Sequence, residues 1–233
     1  RAQRGSEAEP LLQSLLDRSS KEFGPTHAET LNYAVNLAWC ERHLKKLSSA
    51  EAHFRRAVEG FESTLGRLHP YTLASYDGLA QLLAADQRWK EAAANDKVVI
   101  ERSAEAGEAE EADTARILGR MGNNLLKARE FAGAREPLTR SLDLVRKLIT
   151  PPDWRVGTAE MRLGHCLSNL GEAGPGEALL VAGIAKMRAD SNSAPGNFND
   201  GLQKLAEHYR RAGQSDKAAQ IEKELPQGAT APK

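Results

Sequence analysis

Six small residues recur at a spacing of 42 along the chain: Ala8, Ala50, Ala92, Ala134, Gly176 and Ala218. A second ladder keeps that spacing through Ala38, Ala80, Gly122, Gly164 and Ala206. A fixed period between about 20 and 50 residues marks a repeat array, whose units bury their apolar faces only against their neighbours. A side chain no larger than a methyl group, once per unit, marks a place where two helices approach closely. Arrays of this kind present extended surfaces to partners rather than a buried catalytic cleft.

Composition narrows the class. Leu and Ala dominate the apolar residues while Val, Ile and Thr are sparse, which favours helix over strand. Lys plus Arg equals Asp plus Glu at 32 each, without the basic excess of a nucleic-acid binder, so no nucleic-acid partner is expected. No apolar run approaches the ~18–20 residues that span a bilayer, so no membrane insertion by this segment is expected. The start, Arg1-Ala2-Gln3-Arg4-Gly5, lacks the apolar segment of a signal peptide. The chain reads as beginning inside a repeat, which leaves room upstream for a targeting or membrane segment. Cys40 and Cys166 lie 126 positions apart, three periods, in equivalent places of two units. Helices pack ~8–10 Å apart and a disulfide needs Cα atoms within ~7 Å, so no internal bridge is expected.

The unit reads as helix A, a short turn, helix B and a connecting loop. Residues 1–225 form one repeat domain: a half repeat at 6–26, then repeats at about 27–68, 69–110, 111–152, 153–194 and 195–225. The A helices are expected at about 27–44, 70–85, 110–127, 153–170 and 197–212, opened in the first three units by Thr30, Thr72 and Thr114. The B helices are expected at about 6–22, 48–64, 88–106, 130–149, 175–189 and 215–224. Ser6-Glu7-Ala8-Glu9 and Ser48-Ser49-Ala50-Glu51 have the form of capping boxes, and Asp216 is placed to cap the last B helix. Gly24 and Gly66 suit the left-handed position that ends a helix. His27 and His69 follow in matching loops, where each ring is expected to fix the loop by hydrogen bonding. Pro70 stands at a helix start, and Pro151-Pro152 breaks the chain between two units. Apolar stripes at i, i+3, i+4 give each helix one buried face, as in Leu73, Tyr76, Leu79, Ala80 and Leu83. Gly171 to Gly176 reads as a looser turn, 190–196 as a loop and 226–233 as a disordered tail.

The order helix A, turn, aromatic, small residue, helix B resembles the tetratricopeptide repeat. The commonest unit of that family has about 34 residues; the longer period here is similar to kinesin light-chain repeats. Leu65-Gly66-Arg67-Leu68-His69-Pro70-Tyr71-Thr72-Leu73 is close to the junction of that subclass, and Arg88-Trp89-Lys90-Glu91-Ala92 and Glu130-Phe131-Ala132-Gly133-Ala134 repeat its turn. The resemblance implies an all-α, right-handed solenoid of helical hairpins. A narrower likeness, through Ala134-Arg135-Glu136-Pro137-Leu138, Pro152-Asp153-Trp154-Arg155 and Leu202 to Tyr209, is to the C-terminal repeat region of large bacterial serine/threonine protein kinases. The chain has no Gly-rich phosphate loop, His-Arg-Asp loop or Asp-Phe-Gly, so it is not expected to be an enzyme itself.

Catalytic and metal chemistry find little purchase. Cys40 with His43, and His165 with Cys166, give two neighbouring ligands in each place, against the four of a structural zinc site. The acidic run Glu105, Glu108, Glu110 and Glu111 lacks the Gly turn of a calcium loop and reads as a solvated helix start. No cofactor, metal or catalytic residue is expected.

In tetratricopeptide arrays the A helices line the concave face. Carried over, that phase selects a peptide-binding groove of Asn32, Asn36, Trp39, His43, Gln81, Arg116, Arg120, Asn123, Lys127, Arg162, His165 and Asn169. These step by three or four along each helix and so share a face. Asn side chains hydrogen-bond an extended peptide backbone, and Arg holds a carboxylate in two-pronged fashion. The expected work is protein–protein interaction, as a scaffold or sensor module holding a protein or peptide partner. The alternative is an architectural spacer, or a homodimer formed through the unpaired helix of the N-terminal half repeat. The expected compartment is cytoplasmic, with the outer side of a membrane-anchored kinase as the second choice.

Overall fold

The computed structural model describes residues 2–107, 109–150, 153–190 and 195–226. The expected tail beyond Pro226, the Pro151-Pro152 break, Glu108 and residues 191–194 of the expected loop lie outside the described residues. Eleven helices and no strand are found among the described residues. They fall into two compact units, Arg1–Ala109 and Glu110–Lys233.

The first unit holds α1 (Ala2–Glu22), α2 (Ala28–His43), α3 (Leu47–Leu65), α4 (Pro70–Ala85) and α5 (Trp89–Ala106). The second holds α6 (Glu111–Lys127), α7 (Phe131–Leu148), α8 (Trp154–Asn169), α9 (Ala173–Ala189), α10 (Pro195–Arg211) and α11 (Ser215–Glu222). Within each unit every helix packs on the next. The A helices also touch each other, α2 with α4, then α6 with α8 and α8 with α10, and so form a layer of their own in each unit.

Both small-residue ladders are buried, apart from half-buried Ala8. The closest approach is between α8 and α9. A Cβ on Gly164 would stand 2.8 Å from the Gly176 carbonyl oxygen, and one on Gly183 would stand 2.6 Å from that of Gly157. Four glycines thus let two helices meet backbone to backbone. The neighbouring interfaces are pinned by Glu160, a buried carboxylate bound by Arg146 of α7 at 2.9 Å and Lys186 of α9 at 2.8 Å.

Every A-to-B turn is the same motif. Lys45, Gln87, Arg129, Gly171 and Gly213, again 42 apart, have φ of 61°, 61°, 61°, 86° and 72°. The amide that follows each reaches five residues back, as Lys46 to Glu41 at 2.9 Å and Gln214 to Tyr209 at 2.8 Å. This is the Schellman closure, which satisfies the last carbonyls of helix A. It corrects the looser turn expected at Gly171 to Gly176: Glu172 bonds Leu167 at 3.0 Å and α9 begins at Ala173. The first two B-to-A junctions share a second motif. Gly24 and Gly66 have φ of 97° and 93°, and Gly66, with ψ of 163°, adopts the mirror image of the extended conformation rather than the left-handed helical one. The Thr30 and Thr72 hydroxyls donate to the Gly24 and Gly66 carbonyls, each at 2.9 Å. The His27 and His69 rings accept from the backbone N–H of Glu29 and Tyr71 at 3.3 and 3.1 Å, capping α2 and α4.

The expected capping boxes are not formed. Helix α1 starts before Ser6. Helix α3 starts at Leu47, and the Ser49 hydroxyl is drawn to the buried Glu41 carboxylate instead. Helix α11 starts at Ser215 behind Gln214, so Asp216 lies inside its first turn. At α3 the Schellman closure at Lys45 leads straight into the helix, so Ser48 lies inside its first turn.

Lys45, Gln87 and Arg129 hold a conformation that costs a side-chain-bearing residue about 1–2 kcal/mol. Replacing Arg129 with Gly is expected to raise stability by about 0.5–1 kcal/mol, measured by urea denaturation, once glycine's added unfolded-state freedom is subtracted. Gly164→Ala is expected to lower it by about 1–3 kcal/mol, because backbone rather than a movable side chain occupies the space.

Candidate functional site

In the second unit α6, α8 and α10 frame two adjoining clefts. One, of 410 Å³, is lined by Asn123, Lys127, Arg162, His165, Asp200 and Lys204 among others. The other, of 640 Å³, opens beside α7 onto Ala115, Val145, Ile149 and Trp154, with Arg116, Arg155 and Arg162. Arg162, Thr158 and Asn197 belong to both. The helix bearing Trp154 is anchored at its start: the Asp190 carboxylate accepts the Trp154 N–H at 2.9 Å, and Asp153 accepts that of Arg155 at 2.7 Å.

Five of the predicted groove residues therefore come together here: Arg116, Asn123, Lys127, Arg162 and His165. Arg120 lines neither cleft, and the Asn169 amide turns back to its own helix, donating to the His165 carbonyl at 2.8 Å. The other five lie in the first unit. Asn36 and His43 are exposed on α2, and Asn32 is half-buried beside them. Gln81 donates to Asp77 at 2.8 Å. Trp39 packs edge-on against Phe54, with ring centroids 5.2 Å apart, and Arg42 lies over its ring at 5.3 Å. Much of its surface is thus spent on the core of that unit.

The cations of the second-unit groove differ in what they hold. Arg116 bonds Asp113 at 3.1 Å, Arg155 bonds Asp153 at 2.7 Å, and Lys204 meets Asp200. Arg162 has no hydrogen-bond or ion-pair partner among the described residues. Burial pushes its guanidinium below the ordinary arginine value, and Asp200 opposes that shift only from beyond ion-pair reach. His165 is pushed down to about 4, by burial first and then by Lys204 and Arg211, against a smaller pull from Asp200. It is neutral at pH 7, lies near Phe131 at 6.2 Å between ring centroids, and its Nδ1 is buried with no partner among the described residues. A half-buried guanidinium without a partner among the described residues, beside a neutral imidazole, has the chemistry to accept an anion.

The apolar cleft was missed in the sequence. Its signal was present: Ala115 falls in the register of Leu31 and Leu73, so the leucine that the first two A helices carry there is missing from α6. Cys40 and Cys166 are free thiols, and Cys166 bonds the Phe131 carbonyl at 3.1 Å. No group of three or more metal-ligating side chains gathers among the described residues, and no helix there is long and apolar enough to cross a membrane.

Comparison with known proteins agrees with this geometry. The tetratricopeptide repeat family profile matches residues 1–63 and 42–105. Residues 1–105 belong to that family, and the array as a whole is an all-α helical repeat. No curated protein matches the sequence. Among solved structures, the chain is similar to BtubC (BKLC) from P. vanneervenii, at 18% identity and a TM-score of 0.70, covering 100% of this chain and 95% of that one. It is similar to the kinesin light-chain TPR-like repeats of Podosopora anserina, at 18% identity and 0.68, covering 84% and 93%. It is also similar to YrrB, described as a TPR protein with an unusual peptide-binding site, at 17% identity and 0.58, covering 88% of each. At these identities the likeness is one of fold.

Because the His165 value falls from 6.5 in an unfolded chain to about 4 in the folded one, the unfolded state binds more protons between those limits. Stability supplied by this group is complete above about pH 6.5 and is lost as pH falls toward 4. The urea midpoint is expected to drop between pH 7 and pH 5, and His165→Asn should flatten that limb.

Proposed function

We propose that the chain is a protein-interaction module whose second unit holds an extended, acidic peptide segment across α6, α8 and α10. The observation that carries this reading is Arg162, a guanidinium with no partner among the described residues, in the wall between two clefts. Asn123 and Lys127 stand along the same face, Asn to meet the peptide backbone and Lys to meet charge. The peptide-binding site named for YrrB supports the class of ligand. In the first unit Asn32, Asn36, His43 and Gln81 offer a second, uncharged line. The likeness to the repeat regions of bacterial serine/threonine kinases supports a setting in which the module recruits or senses a partner for such an enzyme, with the cytoplasm as its compartment.

A second reading rests on α1. Leu11 and Leu15 are 67% and 40% exposed, whereas the residues one and two periods beyond Leu15, Ala57 and Val99, are buried. That face is where a B helix meets the A helix of its own repeat, so it suits a homodimer or a spacer joined end to end. Light scattering on wild type and Leu15→Glu separates the readings: a dimer that the variant dissolves supports it, and a monomer at all concentrations removes it.

For the groove, affinity for an acidic peptide is expected to fall about tenfold or more in Arg162→Gln, and a few-fold in Lys127→Gln with a shallower salt dependence. Asn169→Ala is expected to change nothing. Titration calorimetry measures all three, and full affinity in Arg162→Gln would remove the groove from the reading.

A further inference from the structure

The 640 Å³ cleft owes its existence to two departures from the repeat. Ala115 stands where α2 and α4 carry Leu31 and Leu73, whose side chains are 0% and 7% exposed. Gly119 stands where they carry Val35 and Asp77. The two truncations stand on consecutive turns of α6 and line the hollow, where α2 and α4 carry larger side chains. Its volume falls in the range of small-ligand sites, about 300–1,000 Å³.

The lining has a definite polarity. Ala112, Ala115, Val145, Ile149, Trp154 and Ala159 make apolar walls, and no carboxylate is among the lining residues. The Ser141 hydroxyl is already committed to the Ala115 carbonyl at 2.8 Å. Arg116 and Arg155, at the rim, are engaged by Asp113 and Asp153. Arg162 is left, and it borders the hollow beside Gly119: a Cβ on that glycine would stand 3.6 Å from Nη1, in ordinary contact. One unpaired cation at the end of an apolar hollow matches one negative charge on an apolar body. A dianion would bring a second charge into a partly desolvated place with no cation free to meet it. A carboxylate also matches the guanidinium in two-pronged geometry.

We infer that this cleft binds a small amphiphilic carboxylate, its anionic end on Arg162 and its apolar body against Val145, Ile149 and Trp154. The inference shares Arg162 with the peptide groove and rests on that guanidinium being free to receive an anion. It differs in placing the ligand's body on the α7 side, away from Asn123 and Lys127. Binding of such a molecule and of an acidic peptide would then be mutually exclusive, which makes the cleft a control point on the groove.

The test uses the whole chain with octanoate as the probe, read by the fluorescence of Trp154 with Trp154→Phe as the control. A saturable change is expected that is absent in the control, with octanol at least tenfold weaker. Arg162→Gln is expected to lose octanoate and acidic peptide together. Ala115→Leu, which places there the residue that α2 and α4 carry, is expected to lose octanoate and keep the acidic peptide, with helicity checked by circular dichroism. Absence of saturation with octanoate, equal affinity for octanol, or undiminished octanoate binding in a folded Ala115→Leu each overturns the inference. Tighter binding by a peptide with an apolar residue next to its acid, lost in Ala115→Leu, also overturns it by giving the cleft to the peptide. Peptide binding without octanoate binding refutes only this inference; octanoate binding without peptide binding refutes only the groove.

Discussion

Close approach of helix A to helix B, enforced by small residues once per period, is the constraint on which the remaining structure depends. It is most severe between α8 and α9, where Gly157, Gly164, Gly176 and Gly183 bring carbonyl oxygens to within 2.6–2.9 Å of where a Cβ would stand. In the first unit alanine suffices, and Ala38, Ala50, Ala80 and Ala92 are fully buried. Tight hairpins set the spacing of the A helices, which is why α6, α8 and α10 lie side by side with room between them for a ligand. The groove is therefore a consequence of packing on the opposite side of the same helices.

Charge follows the same frame. In the first unit Glu9 pairs with Lys46 and Glu51 with Arg88, the acid on one B helix and the base at the start of the next. In the second unit the same register carries Arg135 and Glu172, with the signs exchanged. Exposed pairs of this kind contribute little to stability, but a reversed pair penalises a shift of one repeat past another. Against this background of satisfied charge, Arg162 stands out. Its desolvation is unfavourable in the free protein, and an anion that paired with it would offset that cost. His165 beside it stays neutral, so it adds no charge to compete for the anion.

Much of the fold was legible because the forces that set it act on residue size and periodicity. Pro70–Ala85 was bounded correctly by proline and an apolar stripe, and His27 and His69 were placed as loop-fixing groups by their equal spacing. The turns were less legible. Lys45, Gln87 and Arg129 occupy positive φ without being glycine, since the Schellman hydrogen bonds impose the conformation whatever the side chain. The same closure overrode the supposed capping box at Ser48. For the candidate site, helical phase together with the A-helix face that the tetratricopeptide resemblance implies selected Arg116, Asn123, Lys127, Arg162 and His165. It did not foresee that Trp39 would be held by Phe54 and Arg42, that Asn169 would turn onto its own helix, or that Arg162 alone of these cations would lack a partner. Those outcomes depend on side-chain choices among neighbours, which a periodicity does not encode.

If stacked hairpins in a 42-residue register are what hold the protein together, one whole period is dispensable and a fraction of one is not. Removing residues 27–68 joins α1 to α4 in the place α2 now holds, with both ladders kept in step. Circular dichroism during urea denaturation is the direct measurement. A single cooperative transition with undiminished helicity per residue is expected for that deletion, and loss of cooperativity for one two residues shorter. Equal behaviour of the two deletions would contradict the dependence on register.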